Sequence, residues 1–349
     1  MKPFKLYHRI TPKDPIIDYV ISRGGDPSPI RELMGQNLSL KEQKLGYVPW
    51  TDICMGLERA AEILGDPYFG LKYGMSHRDD YRVAGPMVFL LGAALNIRSF
   101  IDTGIKYQAL HTNAIHYTYE EDPENQEMTG VFTFHPMSGA HRQIAETLLV
   151  TLCEMGRSFL PDINIKRVTF QHRAPDDLTW YKTAFEAPVT FNAERTTIAT
   201  NLDFLDMERS SFLNDAIQKS LKIYLDRKLK QHPYAAKSIA GSVVEVLPSL
   251  MGVRKSGSDH VARSLGMHPK KLQRLLRDEG THYKNILDEV RRFQAMRLLE
   301  DTDMSIEKTA QLLDYASGTP FNAACKRWFD MSPVQYRKAT KPVNASQAY

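Results

Sequence analysis

The C-terminal third of the chain contains one helix pattern twice, and this repeat constrains the fold more than any other feature of the sequence. In the first copy, a capped helix over residues 259–265 stops at Gly266. Pro269 then opens a second helix over residues 270–277, because proline is favoured in a first helical turn. Two short helices about a glycine turn form the helix-turn-helix pattern.

The second copy follows a single long helix. Ser305 caps a helix over residues 306–313, a turn covers residues 314–317, and a further helix spans residues 319–329. The intervening helix, residues 283–300, would be about 27 Å long at about 1.5 Å per residue. Two recognition helices on such a spacer could enter successive major-groove segments of one DNA face, which lie about 34 Å apart.

The helix over residues 270–277 has the composition of a DNA-reading helix. Its leucines, at 272, 275 and 276, are predicted to face inward, and a basic face lies opposite. Arg and Gln suit bidentate contacts to guanine and adenine edges, and further cations suit phosphates. A basic face on one helix is also typical of a merely solvated surface, but the tandem repeat favours DNA. The candidate DNA contacts of this helix are Lys270, Lys271, Gln273, Arg274 and Arg277.

The charge distribution agrees with this interpretation. Residues 233–349 carry 18 Lys and Arg against 12 Asp and Glu, whereas the preceding residues carry 27 against 29. A basic C-terminal part attached to a near-neutral body indicates an anionic partner. With 42% hydrophobic residues the chain is not a disordered protein.

The N-terminal part mixes helices and strands without strict alternation, which predicts an α+β domain rather than a doubly wound sheet. Helix-start signals stand at Asp14-Pro15 and Asp26-Pro27. The predicted helices cover residues 50–64, 141–159 and 175–185. The predicted strands are residues 115–119 and 130–134, joined by an exposed loop, then 163–172, and a closing hairpin of 189–191 with 196–200.

No motif in the chain indicates catalysis, a cofactor or a metal. The histidines lack HxxxH or HExxH spacing and are interpreted as isolated surface or core residues: His111, His116, His135, His141 and His172. There is no nucleophile elbow, phosphate loop or dinucleotide fingerprint. Tyr181, Phe185 and Phe191 fit either an apolar ligand pocket or plain core.

Two alternatives to a DNA-binding regulator remain at this point. In the first, the N-terminal domain is an enzyme that the basic tail targets to DNA, which requires an activated cysteine with metal-binding partners. Cys54 and Cys153 have no such partners nearby in sequence, and the three cysteines form no CxxC pair. In the second, the C-terminal helices bind protein, which the basic face of residues 270–277 argues against.

The repeat resembles the DNA-binding domain of AraC/XylS-type transcription regulators. The matching residues are Val261-Ala262-Arg263-Ser264-Leu265-Gly266-Met267, Leu272-Gln273-Arg274-Leu275-Leu276, Gly280 with Tyr283, Arg291, Ala295, Leu298-Leu299, Lys326-Arg327-Trp328-Phe329, Ser332-Pro333 and Tyr336-Arg337. The N-terminal part resembles the arabinose-binding regulatory domain of one branch of that family. It does so at Leu64-Gly65-Asp66-Pro67-Tyr68-Phe69-Gly70-Leu71, Arg173-Ala174-Pro175 and Tyr181-x-x-x-Phe185-x-Ala187-Pro188-Val189-x-Phe191.

The resemblance implies a transcription factor that binds double-stranded promoter or operator DNA, responds to a small effector, forms a homodimer and contacts RNA polymerase. An activator is the working expectation, although the sign of regulation depends on operator position. We expect a cytoplasmic protein, because residues 1–10 lack an apolar run and no stretch is long enough to span a membrane. No cofactor and no metal are expected.

Three departures from the family pattern bear on how DNA is read. Ala323 stands where the family often has Arg, and Cys325 replaces the usual Phe before Lys-Arg-Trp. His268 replaces a Ser cap, so we expect a weaker cap on the first recognition helix. We therefore expect the first recognition helix to supply most specificity. The second would mainly anchor phosphates through Thr319, Asn322, Lys326 and Arg327.

The resulting organisation is a regulatory and dimerisation domain over residues 1–232, a double helix-turn-helix domain over 233–340 and a tail over 341–349. The boundary falls in residues 230–238, which include Pro233. Apolar residues recur through residues 212–229, which is consistent either with a partner helix or with a helix packed on its own domain.

Overall fold

The computed structural model describes residues 6–9, 15–35, 47–78, 94–135, 142–159, 162–207, 215–231, 239–253 and 255–340. These residues form two compact units, one made of the described residues up to 231 and one of those from 239 to 340. The first is α+β and the second is all-helical, as the sequence predicts. His141, the segment 232–238 at the predicted boundary and the tail 341–349 lie outside the described residues.

The N-terminal unit has eight α-helices among its described residues. They are α1 (Pro15–Ser22), α2 (Ser28–Gly35), α3 (Trp50–Leu64), α4 (Phe69–Met75), α5 (Ile97–Tyr107), α6 (Arg142–Phe159), α7 (Thr179–Phe185) and α8 (Asp215–Gln231). Helix α3 ends at Gly65, whose φ of +59° is the left-handed conformation that glycine adopts freely. The helices predicted at Pro15, over residues 50–64 and after residue 141 are confirmed.

Two sheets complete this unit. The strands are β1 (Tyr7–Arg9), β2 (Tyr47–Pro49), β3 (Ile115–Asp122), β4 (Glu127–Phe134), β5 (Ile165–Thr169), β6 (Val189–Thr190) and β7 (Thr196–Asn201). Strands β1 and β2 pair with each other, and the five others form one sheet in the order β3-β4-β7-β5-β6. All neighbours in the larger sheet are antiparallel except β5 and β6.

The predicted closing hairpin is wrong. Strand β6 is a two-residue edge strand parallel to β5, whereas β7 lies in the middle of the sheet between β4 and β5. Four of the six residues of β7 are buried: Thr196, Thr197, Ala199 and Thr200. The predicted loop over residues 120–129 is also too long, since β3 extends to Asp122 and β4 begins at Glu127. Strands β1 and β2 were not predicted.

Helices α4 and α6 approach each other closely through glycines. The main-chain N–H of Gly70 donates to Gln143 Oε1 at 2.6 Å, and the hydroxyl of Thr147 donates to the carbonyl of Gly70 at 3.2 Å. A Cβ on Gly70 would lie 2.5 Å from the carbonyl oxygen of Gln143, well inside contact distance. One turn later, a Cβ on Gly74 would lie 2.8 Å from Val150. The pair therefore packs backbone against backbone.

The C-terminal unit contains seven helices among its described residues. They are α9 (Ile239–Leu250), α10 (Ser258–Ser264), α11 (Pro269–Asp278), α12 (Tyr283–Asp301), α13 (Ile306–Leu312), α14 (Gly318–Phe329) and α15 (Pro333–Thr340). Both predicted helix-turn-helix units and the long helix between them are confirmed.

Helix α12 contributes to two separate cores. Ile286 and Val290 pack with α9, α10 and α11, whereas Ala295 and Leu299 pack with α13 and α14. At about 3.6 residues per turn, successive residues are about 100° apart around the axis, which places these two pairs on opposite sides of the helix. The two helix-turn-helix units therefore pack on opposite faces of their connecting helix.

Candidate functional site

The first helix-turn-helix unit presents a polar face on α11. Leu272 and Leu276 are fully buried in a core that includes Val261 and Ala262 of α10, and Leu275 is partly buried. The five candidate DNA contacts lie on the exposed side of the helix: Lys270, Lys271, Gln273, Arg274 and Arg277. Among the described residues, Arg274 forms a solvent-exposed ion pair with Asp278, at 3.8 Å, so its guanidinium can rearrange to contact a ligand.

Both ends of α11 are fixed by side chains. At its start, Nδ1 of His268 accepts a hydrogen bond from the main-chain N–H of Lys270 at 3.2 Å, so histidine performs the capping role that serine often has. After its end, the carboxylate of Glu279 accepts from the N–H groups of Ile239 and Ala240 at 2.8 and 2.9 Å. Glu279 thus caps α9 and ties the first helix of this unit to the end of α11.

The second unit has a less basic exposed face. Ser305 caps α13 by accepting from the N–H of Lys308 at 3.2 Å, as predicted. In α14, Phe321, Ala324 and Cys325 are buried, and burial raises the pKa of the Cys325 thiol to about 12. The exposed candidate contacts are Thr319, Asn322, Lys326 and Arg327. Ala323 is exposed among them and offers no hydrogen bond.

Asp288 of α12 holds the C-terminal part of α14. Its carboxylate accepts from the guanidinium of Arg327 at 2.5 Å and from the indole N–H of Trp328 at 3.0 Å. Arg327 therefore has a structural partner besides any DNA phosphate. Sequence reasoning missed Asp288, because an acidic residue on a long helix carries no local sign of a partner on another helix.

Asp314 joins the second unit to the segment that precedes the first. Its carboxylate accepts from the N–H groups of Gly252 and Ser256 at 2.9 and 3.3 Å, and its carbonyl accepts from Arg291 at 3.0 Å. The Arg291 guanidinium also lies over the ring of Tyr315, 4.6 Å from its centre. These contacts fix how the turn of the second unit sits beside α12, and none of them could be predicted from spacing.

The N-terminal unit contains a cavity of about 260 Å³. It lies between one face of the large sheet and the helices α5 and α6, and Gly104, His111 and Cys153 are among the residues that line it. Tyr181, Phe185 and Phe191 do not line this cavity. They pack with Phe170 in the core, so the interpretation as core is correct for these three.

Several histidines of this unit are buried or partly buried, which disfavours their charged form. Burial lowers the pKa of His111, of His135 and of His172 to about 4, and it also lowers that of His8, which lies edge-on to His111 with ring centres 4.5 Å apart. Burial acts in the opposite direction on Glu146, raising its pKa to about 7.

These shifts predict that the N-terminal unit is sensitive to acid. A histidine whose folded pKa lies below its unfolded value of 6.5 stabilises the fold fully above pH 6.5 and loses that contribution as the pH falls toward 4. Glu146 has the opposite sign, since its contribution to stability is lost as the pH rises from 4.5 toward 7, and Glu58, whose pKa burial also raises, acts in the same direction. Four imidazoles oppose these two carboxyls. We expect melting temperature, measured by calorimetry, to fall steeply between pH 6.5 and 4.

The matched variants are His111→Asn and His116→Asn, which remove a buried and an exposed imidazole. His111→Asn should reduce the acid loss by up to about 3 kcal/mol at pH 4, at about 1.4 kcal/mol per pKa unit. His116→Asn, at an exposed position, is measured alongside as the control for exchanging an imidazole for an amide. Equal slopes in both variants would contradict the assignment.

Neither a membrane span nor a metal cluster is found in the described ranges. No helix there is both long and apolar enough to cross a membrane. Within the same residues, no three His, Cys, Asp or Glu side chains are grouped so as to hold a metal ion.

Comparison with known proteins agrees with the architecture. The model of the arabinose-binding domain of AraC transcription regulators, N-terminal, matches residues 24–208, more than half of the chain, and a helix-turn-helix domain model matches residues 261–339. The transcriptional regulator VirS of Mycobacterium tuberculosis is 23% identical over 92% of this chain and 93% of its own length. The ornithine utilization regulator of Pseudomonas aeruginosa is 22% identical over 80% of this chain and 81% of its own length.

Among solved structures, the transcriptional regulator CdpR from Pseudomonas aeruginosa matches with 21% sequence identity and a TM-score of 0.35. The match covers 80% of this chain and 91% of the CdpR chain. The family follows from the N-terminal model alone, because that model matches more than half of the chain. The chain, with this N-terminal domain followed by two helix-turn-helix units, belongs to the AraC family of DNA-binding transcription regulators.

Proposed function

We propose that this regulator reads its operator mainly through α11 and uses α14 chiefly as a phosphate anchor. The observation that carries the proposal is the exposed face of α11, on which Gln273, Arg274 and Arg277 stand opposite two fully buried leucines. Arg and Gln make the bidentate contacts that distinguish guanine and adenine in the major groove. On α14, Ala323 makes no such contact and Arg327 is held by Asp288.

The proposal also includes the division of the chain into domains and the response to an effector. The regulatory part comprises residues 1–232, the DNA reader residues 233–340 and the tail residues 341–349. The regulatory part binds a small effector, which changes how the reader engages promoter DNA and RNA polymerase in the cytoplasm. Activation is the expected outcome.

Homodimerisation through the N-terminal unit is part of the same proposal. Helix α8 packs on its own unit through Leu221, Leu225 and Leu229, against Tyr107 and Leu110. Three large apolar residues of that helix are left exposed: Ile217, Ile223 and Tyr224. One side of the helix therefore packs on its own unit, and the exposed apolar side chains are proposed to contact a second copy of the chain.

An enzymatic role is not part of the proposal. Burial raises the pKa of Cys54 and of Cys153, and burial of this kind makes a thiol inert rather than nucleophilic. The relatives named above are regulators of transcription or of ornithine utilization by their names, and none is named as an enzyme.

The salt dependence of DNA binding tests the electrostatic part of this proposal. The operator is first selected by the wild-type protein from a random DNA library, and its affinity is then measured by fluorescence anisotropy at several salt concentrations. Lys270→Ala should reduce the slope of log K against log salt by about one, because one phosphate contact is lost. Lys222→Ala, an exposed lysine of α8, should leave the slope unchanged. A flat salt dependence for the wild type would argue against phosphate binding.

A further inference from the structure

We propose that the cavity beside α5 and α6 is the effector site and that its ligand is an uncharged, mainly apolar molecule rather than a sugar. This inference rests on the proposed regulatory function of the N-terminal unit. A cavity of 150 Å³ accommodates benzene, so a cavity of about 260 Å³ suits a molecule of roughly ten carbon atoms.

The cavity walls are hydrocarbon on both sides. Met128, Phe132 and Ile198 line it from the sheet, and Ile101 and Leu152 line it from α5 and α6. No Lys, Arg, Asp or Glu is among the described residues that line it. A charged ligand would lose its hydration there without gaining an opposite charge, which disfavours its binding.

Polar side chains at the cavity already have partners within the protein. Gln108 Oε1 accepts from the main-chain N–H of Tyr117 at 3.1 Å, and the Thr200 hydroxyl donates to the carbonyl of Asn164 at 2.6 Å. The Thr151 hydroxyl lies 2.9 Å from Nδ1 of His77. These groups are occupied in holding the walls together and are poorly placed to satisfy several hydroxyl groups of a sugar.

His111 is an aromatic residue with a polar ring on the cavity wall. Its ring lines the cavity, and its Nδ1 is buried without a hydrogen-bond partner among the described residues. Tyr117, which carries a hydroxyl, lines the same cavity. A wall that is mostly apolar and includes these two residues suits a ligand with a single hydroxyl or carbonyl on an otherwise apolar frame, such as a bicyclic phenol.

Gly104 makes the site testable by filling it. This glycine lies on α5 and lines the cavity, and a Cβ built on it meets nothing within 4 Å. Gly104→Trp should therefore occupy the ligand volume without displacing the backbone, whereas Gly104→Ala should leave the cavity open. Gly156 of α6 lines the same cavity, and its Cβ would lie 3.7 Å from Ile163 Cδ1, so Gly156→Met is a second filling variant.

The experiment titrates full-length protein with 1-naphthol and with L-arabinose by isothermal calorimetry, and the operator affinity of every variant is measured alongside. We expect 1-naphthol to bind the wild type and Gly104→Ala saturably, and to bind Gly104→Trp and Gly156→Met at least tenfold more weakly. L-Arabinose should give no saturable heat.

Three outcomes would overturn the proposal: no saturable 1-naphthol binding to the wild type, equal 1-naphthol binding in the filled variants, or arabinose binding that the filled variants abolish. If operator binding persists in any of these cases, the ligand assignment alone has failed. Loss of operator binding by the wild type would instead contradict the proposed function. Circular dichroism of each filled variant identifies one that has failed to fold, and the other filled variant then decides.

Discussion

Arg274→Ala should lower the preference of the protein for its selected operator over random DNA by roughly 10- to 100-fold. A bidentate contact between an arginine and a guanine edge contributes about 1–3 kcal/mol of discrimination, and alanine leaves that edge without a donor. The side chain is exposed and pairs with the solvent-exposed Asp278 in the part of the chain that the structure describes, so the substitution should not unfold the helix. The measurement is competitive anisotropy with operator and random duplexes at one salt concentration.

The matched control is Asn322→Ala, on the exposed face of α14. If α14 chiefly anchors phosphates, this variant should keep most of the operator preference and lose affinity for both duplexes about equally. Intact preference in Arg274→Ala together with lost preference in Asn322→Ala would reverse the roles assigned to the two helices.

Gly70→Ala should destabilise the N-terminal unit by about 3 kcal/mol or more, which corresponds to roughly 6–12 °C in its melting temperature. The added Cβ would lie 2.5 Å from the carbonyl oxygen of Gln143 and 2.9 Å from its Oε1. Because the nearer atom belongs to the backbone of α6, the clash is relieved only by moving one helix away from the other. That movement would also break the hydrogen bond from Gly70 to Gln143.

Gly104→Ala is the control for Gly70→Ala, since both exchange a helical glycine for alanine. The Cβ at residue 104 meets nothing within 4 Å, and alanine favours a helix by up to about 1 kcal/mol over glycine. Calorimetry should therefore show a fall in melting temperature for the first variant and no fall for the second. Equal melting temperatures would mean that α4 and α6 are not packed backbone to backbone.

Local signals were sufficient to predict the helices of the C-terminal unit. Gly266, Pro269 and Ser305 are residues that start or stop helices through their own backbone and side-chain chemistry, so their positions predict the helix-turn-helix units closely. The buried leucines of α11 follow a simple helical period. The same period places the candidate contacts of α11 on its opposite, exposed face, so the sequence alone predicts them.

The sheet of the N-terminal unit could not be predicted in the same way. Residues 189–191 and 196–200 are close in sequence and favour strands, so a hairpin is the local expectation. The structure instead inserts β7 between β4 and β5 and leaves β6 at the edge. Strand pairing depends on which distant surfaces are available for burial, and that information is spread over residues 115–201.

The sequence by itself determined the family, the two helix-turn-helix units and the basic face of α11, because each depends on short-range chemistry repeated along the chain. Only the tertiary structure decided that Gly70 must lack a side chain, that Asp288 and Asp314 hold the second unit, and that an apolar cavity lies beside α5 and α6. The physical reason is that close packing, capping between elements and enclosed volume are properties of surfaces that meet in space, and residues far apart in sequence create those surfaces.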